Sequence, residues 1–151
     1  MIALTHLHTA MAQIISTNRQ FQKPPRIQCL VGDGLQHPMV KRQLEKIGCV
    51  VVIDPILRAR ARDPESHQGL TLDAEIGIRV LMNPKVNASE TGANRHIYEV
   101  MASIADSVLG WQPDSNGDHR FEVAERFIEI KQQDPGLLEY QLTFLKTTAL
   151  V

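Results

Sequence analysis

Apolar and polar positions fall into two periods along this chain. In residues 3–17, Leu4, Leu7, Met11, Ile14 and Ile15 follow one another at spacings of three, four, three and one. That is the stripe of an amphipathic helix. Pro24 and Pro25 interrupt the chain, and residues 26–31 predict a short strand running into Gly32-Asp33-Gly34. A second helix is predicted after Pro38, with Met39, Val40, Leu44 and Ile47 on one side and Gly48 as its stop.

The period then changes to two. Residues 49–62 begin as a β-branched run and end in the alternation Leu57-Arg58-Ala59-Arg60-Ala61-Arg62. After the turn-rich residues 63–69, Leu70, Leu72, Ala74, Ile76, Ile78, Val80 and Met82 occupy consecutive even positions, with Thr71, Asp73, Glu75, Gly77 and Arg79 between them. This predicts a long half-buried strand, paired with residues 49–62 in an antiparallel hairpin. Opposite residues in such a pair share a face, so only registers whose position numbers sum to an odd total keep the arginines off the apolar side. A sum of 133 sets Arg58 against Glu75 and Arg60 against Asp73; sums of 131 and 135 also set an arginine against an acid.

Residues 83–94 predict a loop, and Asn94 is placed to cap a helix over about 95–109, with Ile97, Val100, Met101, Ile104, Ala105 and Val108 inward and Gly110 as stop. After a polar loop to Arg120, strands are predicted at 121–131 and 137–146, joined by the turn Asp134-Pro135-Gly136. The first of these strands changes parity between Val123 and Ile128, which predicts a bulge. The order predicts an α+β domain over residues 1–151: a mostly antiparallel sheet, a long central hairpin projecting at about 49–82, and helices packed on one face.

Charge adds a pattern that the net value of -1 hides. Residues 1–18 carry no Lys, Arg, Asp or Glu; residues 19–62 carry nine basic and three acidic groups, and residues 63–151 seven basic and fourteen acidic. Near-neutrality argues against a general nucleic-acid binder, and seven aromatic residues are few for stacking bases. Two cysteines, Cys29 and Cys49, cannot make a disulfide framework or a four-thiolate zinc site, and their apolar neighbours predict small buried hydrophobes. No apolar run approaches the roughly 20 residues of a membrane span, and no leader pattern opens the sequence; a soluble protein of a reducing compartment is expected.

Candidate chemistry is thin. His6 and His8, two apart on a helix, point in different directions and serve one metal ion poorly. Gly32-x-Gly34 lacks the third glycine of a dinucleotide fingerprint, because His37 and Pro38 follow. Asp114-x-Asn116-x-Asp118 matches the start of a calcium loop, but His119 stands where its glycine belongs and a strand follows. No nucleophile elbow is present, and Asp54, Asp73 and Glu75 alternate with arginines in a way that suits salt bridges better than acid–base work. The sequence therefore predicts no enzyme, no cofactor and no metal. Two readings of the Arg58, Arg60, Arg62 row stay open. One is a solvated strand face paired with Asp73 and Glu75, each exposed pair contributing about 0–1 kcal/mol. The other is a surface that meets an acidic patch of another subunit.

The helix end Ala105-Asp106-Ser107-Val108-Leu109-Gly110-Trp111-Gln112-Pro113 and the closing strand Leu138-Glu139-Tyr140-Gln141-Leu142-Thr143-Phe144 resemble the tail terminator proteins of long-tailed bacteriophages. The order of elements extends that resemblance over most of the chain, while residues 32–52, with their extra helix, depart from the simplest family pattern. The resemblance implies a structural virion protein of the tail and neck, assembled in the host cytoplasm. It implies a homohexameric ring that caps the tail tube, stops its polymerisation and presents the head-docking surface. The implied partners are other copies of the chain, the tail tube protein and a head-completion or connector protein, with genomic DNA only passing through the lumen and no membrane. A ring interface needs two different, complementary surfaces on one subunit; the expected interface residues are Arg58, Arg60, Arg62, Asp73, Glu75 and Arg79. Another neck component, a head-closure or tail-completion protein, is the alternative. A small ligand-binding or enzymatic α+β domain, with Asp33, Asp54 and His37 converging in a cleft, is the other.

Overall fold

The computed structural model describes residues 3–32, 36–54, 58–62, 71–112 and 120–149. The turn-rich tip at 63–69, the Asp114–Asp118 loop, Asp33, Gly34 and Leu70 lie outside the described residues. The elements are α1 (Leu4–Ser16), α2 (Arg19–Gln22), β1 (Cys29–Val31), α3 (Pro38–Lys46), β2 (Cys49–Ile53), β3 (Arg58–Ala61), β4 (Thr71–Met82), α4 (Pro84–Asn87), α5 (Ile97–Leu109), β5 (Glu122–Asp134) and β6 (Leu137–Ala149). They form one α+β layered fold, with a six-stranded sheet in the order β1-β2-β4-β6-β5 and β3 paired to β4 beside β2.

β4 is the sheet's central strand because its even positions are uniformly apolar. It pairs antiparallel with β6 along its whole length, from Thr71 opposite Ala149 to Met82 opposite Leu138. Ile76, Ile78 and Val80 thereby meet Phe144, Leu142 and Tyr140 on one face, where Leu7, Met11 and Ile15 of α1 and Ile97, Val100, Met101, Ile104 and Val108 of α5 close over them. Each large side chain taken fully out of water there contributes roughly 1.5–3 kcal/mol. Of the predicted α1 stripe, Leu7, Met11 and Ile15 are buried and Leu4 and Ile14 are partly buried against the same core. Asn18 ties the α1–α2 turn to α5, its amide donating to Ser107 Oγ at 2.9 Å.

The predicted 49–62 strand is two strands. β2 pairs with β4 through Val51 opposite Val80, whereas β3 pairs through Arg58 opposite Glu75 and Arg60 opposite Asp73. The β3 pairing is the predicted sum of 133. The β2 pairing sums to 131, so the register slips by two residues between them; an even slip preserves which face each side chain occupies. The expected bulge in β5 is present, between Val123 and Ile128, and a second register shift follows between Ile130 and Gln132.

Two local expectations are corrected. The cap of α5 is His96, whose Nδ1 accepts the Tyr98 amide at 3.2 Å, while Asn94 instead sits at φ 52° in the preceding turn. Helices also occupy both faces. β1 and β2 are parallel, and parallel neighbours need a crossover, which α3 supplies. α3 sets Val40 against Val50, Val52 and Leu81, on the face away from α1 and α5. Gly48 ends α3 as expected, with φ +79° and its amide donating to Gln43 O at 3.1 Å.

Candidate functional site

α3 covers the second face only at the β2 end, which leaves the face polar toward the ends of β3 and β4. The pairing registers fix how side chains line up there. One row across the sheet is Arg58, Glu75, Leu145 and Glu122; the next joins Arg60, Asp73 and Thr147. Arg58 Nε lies 2.8 Å from Glu75 Oε2. Arg62 Nη1 donates to Thr147 Oγ1 at 3.0 Å, and that hydroxyl donates to Asp73 Oδ1 at 3.1 Å. Arg60 makes no ion pair among the described residues. Arg120 and the carboxylates Glu122 and Glu125 complete the wall of an open concavity of about 750 Å³. Five of the six expected interface residues, Arg58, Arg60, Arg62, Asp73 and Glu75, thus share one surface.

Arg79 is placed differently. It lies further along the same face, with Nε 2.5 Å from Asp54 Oδ2 and Nη1 3.2 Å from Glu139 Oε1, and both carboxylates are 8% exposed. Burial pushes the Asp54 carboxyl above its ordinary value; the Arg79 charge opposes that shift and Glu139 adds to it. Arg79 is engaged within its own chain, and its two carboxylates cross-link β2, β4 and β6.

Other chemistry is accounted for locally. His37 caps α3, its Nδ1 accepting the Met39 amide at 3.1 Å, and Asp54 is held by Arg79. On α1, His6 is exposed and His8 is half-buried, with burial lowering its pKa, so the two histidines stand in different surroundings. Burial pushes both the Cys29 and Cys49 thiols up to about 12, the opposite of an activated nucleophile. Arg95, expected in the first turn of a helix, is a buried clamp whose Nη2 donates to Gln20 O at 3.1 Å and Lys23 O at 3.2 Å.

The second notable surface lies at the far edge of the sheet, where sequence reasoning placed no site. Ile128 and Ile130 of β5 pair with Leu142 and Tyr140 and so point to the helix-covered side, yet they are 51% and 57% exposed. Tyr98 on α5, 59% exposed, extends this strip through an edge-on ring contact with Tyr140 at 6.2 Å. Alternation at 128–131 signals a strand; the lack of a covering helix is set by where α1 and α5 end up. Glu122 and Glu125 were likewise not singled out, because only the β5–β6–β4 pairing brings them to the arginines.

No family model matches the sequence, and no curated protein matches it. Among solved structures, this chain is similar to a chain from the virion of a native gene transfer agent particle, at 13% identity and a TM-score of 0.47, over 97% of this chain and 92% of that one.

Proposed function

We propose that this chain is a structural virion protein of the tail-terminator type: one subunit of a ring that caps the tail tube, ends its polymerisation and offers the surface on which the head docks. In this reading residues 1–151 act as one domain, with 49–82 as its interacting arm and no catalytic role. The partners are further copies of the chain, the tube protein and a head-completion protein, with DNA threading the lumen only.

The observation that carries the reading is the charged concavity at the arm end. Arginines Arg58, Arg60, Arg62 and Arg120 stand with carboxylates Asp73, Glu75, Glu122 and Glu125 around the open end of the sheet face that α3 covers only at the β2 end. Charges of both signs spread over a broad surface suit orientation of a macromolecular partner. A small-molecule site is typically a mostly apolar cleft with a few convergent polar groups. The motifs that carry the phage resemblance support the reading too, lying at the end of α5 and on the first half of β6, where it pairs with β4.

The test is polymerisation of tail tube protein in the presence of the purified chain. Tubes capped at one end by an added ring, seen in negative stain, with length limited by dose, are the expected result. Protein that stays monomeric at every concentration, alone and with tube protein, in native mass spectrometry overturns the proposal. Binding at the head side without any effect on tube length favours the head-closure alternative.

A further inference from the structure

Among the described residues, the sheet has three unpaired strand edges, those of β1 and β3 on one side and that of β5 on the other; of these, β3 and β5 end the antiparallel run β3-β4-β6-β5 and carry charge. β5 is 13 residues long, and exposed edges of that length are ordinarily shortened, covered or charged against pairing. The two edges are opposite in charge. From Arg58 to Arg62 there are three arginines and no acid. β5 carries Glu122, Glu125, Glu129 and Asp134 against Arg126 and Lys131.

The faces match as well. On β3, Ala59 and Ala61 point to the helix side and the arginines to the polar side, since they pair with Ala74, Leu72, Glu75 and Asp73. On β5, Ile128 and Ile130 point to the helix side and Glu129, opposite Gln141, to the polar side. Small apolar residues on one edge therefore correspond to large exposed ones on the other, and arginines correspond to glutamates. Direction matches too. β3 is antiparallel to β4, β4 to β6 and β6 to β5, so a rotated copy that continues the sheet brings its β3 antiparallel to β5.

We infer that the occupant of the β5 edge is β3 of a second copy of this chain, joined by strand addition, with Ala59 and Ala61 beside the Ile128/Ile130 strip and the arginine row beside the β5 glutamates. The contact is head-to-tail, so each subunit gives one edge and receives the other. The inference rests on the ring reading above and names which surfaces make the ring.

The experiment uses two full-length variants with substitutions only at exposed or edge positions. One neutralises β3 (Arg60→Gln with Arg62→Gln); the other reverses β5 (Glu129→Lys with Ile130→Lys). Sedimentation across a concentration series is expected to show each variant self-associating roughly tenfold or more weaker than wild type. An equimolar mixture is expected to give 1:1 dimers through the one intact edge pair. Wild-type rings with variants that assemble equally well overturn the edge pairing and leave the ring reading standing. So does a mixture without dimers. A wild-type chain that is monomeric alone and with tube protein overturns both. Should a variant lose its native circular dichroism, wild-type association against salt decides: an edge pairing of opposite charges weakens from low to high salt, and unchanged association overturns it.

Discussion

Arg79 and Glu139 are 60 residues apart in sequence, yet Arg79 Nη1 donates to Glu139 Oε1 at 3.2 Å across the β4–β6 pairing. Asp54, from β2's end, approaches the same guanidinium at 2.5 Å. One cation thus neutralises two carboxylates brought from different strands. Arg79→Ala leaves Asp54 and Glu139 sharing a poorly hydrated site without their paired cation, Lys131 acting only through its field, which destabilises the fold by about 2–4 kcal/mol. Urea unfolding of wild type and variant measures it, and adding Asp54→Asn to Arg79→Ala is expected to recover part of the loss. A variant as stable as wild type shows that the cluster contributes nothing.

The pH dependence of the same cluster has a definite sign. Asp54 has its native carboxyl pKa raised, chiefly by burial, so between the unfolded and the native value the folded state holds more protons. Its contribution to stability is therefore largest at low pH and declines as pH rises through the native pKa. Asp54→Asn cannot ionise and escapes that decline. Its stability relative to wild type is expected to grow as pH rises from the ordinary carboxylate range toward neutrality, read from unfolding curves at a series of pH values. A flat difference, or one of opposite slope, contradicts the assignment.

Thiol chemistry follows from burial in the same way. With Cys49 and Cys29 both pushed up to about 12, alkylation at pH 8 is expected to leave Cys49 unmodified in the native protein and to modify both in urea. Unfolded thiols ionise near pH 8.5, so the unfolded state loses protons first and stability falls as pH climbs above that value. Mass spectrometry of the alkylated protein and alkaline unfolding curves check the two halves.

Gly48 joins α3 to β2 with φ +79°, and a Cβ there would sit 2.2 Å from the Asn87 backbone nitrogen. Asn83 N also donates to Gly48 O at 2.8 Å, holding the two loops together. Gly48→Ala combines left-handed strain with backbone overlap and is expected to destabilise by about 2–4 kcal/mol. A thermal midpoint within a degree or so of wild type refutes the close approach.

The elements were legible where a period persisted. The even-position run of β4 and the Leu7, Met11, Ile15 stripe of α1 specify both type and buried face, because a side chain's direction repeats with the backbone. The β3–β4 register was legible to within its parity, and the structure takes the sum of 133 from the three that the charges allow. The change of register between β2 and β3 was not legible: a two-residue slip conserves facing, so hydrophobic patterning does not register it. Asn94 is a conventional cap residue that lost to His96 because Asn94 turns back, its amide donating to Ser89 O and Gly92 O at 3.1 Å.

For the candidate site the division is similar. The row Arg58, Arg60, Arg62 with its partners Asp73 and Glu75 could be named from alternation alone, whereas Arg79, on the same parity, belongs to a different environment. Parity says which face a side chain takes and nothing about what stands over that face.

By itself, then, the sequence determined the local facing of each element, the pairing parity of the hairpin and the position of its arginines, because these depend on periods of two or about 3.6 residues. Tertiary structure alone decided that α3 covers the second face at one end, that Arg79 is enclosed by Asp54 and Glu139, and that Ile128 and Ile130 stand uncovered beside an acidic edge. Those outcomes depend on which distant strands become neighbours, and chain-local periodicity carries no record of that choice.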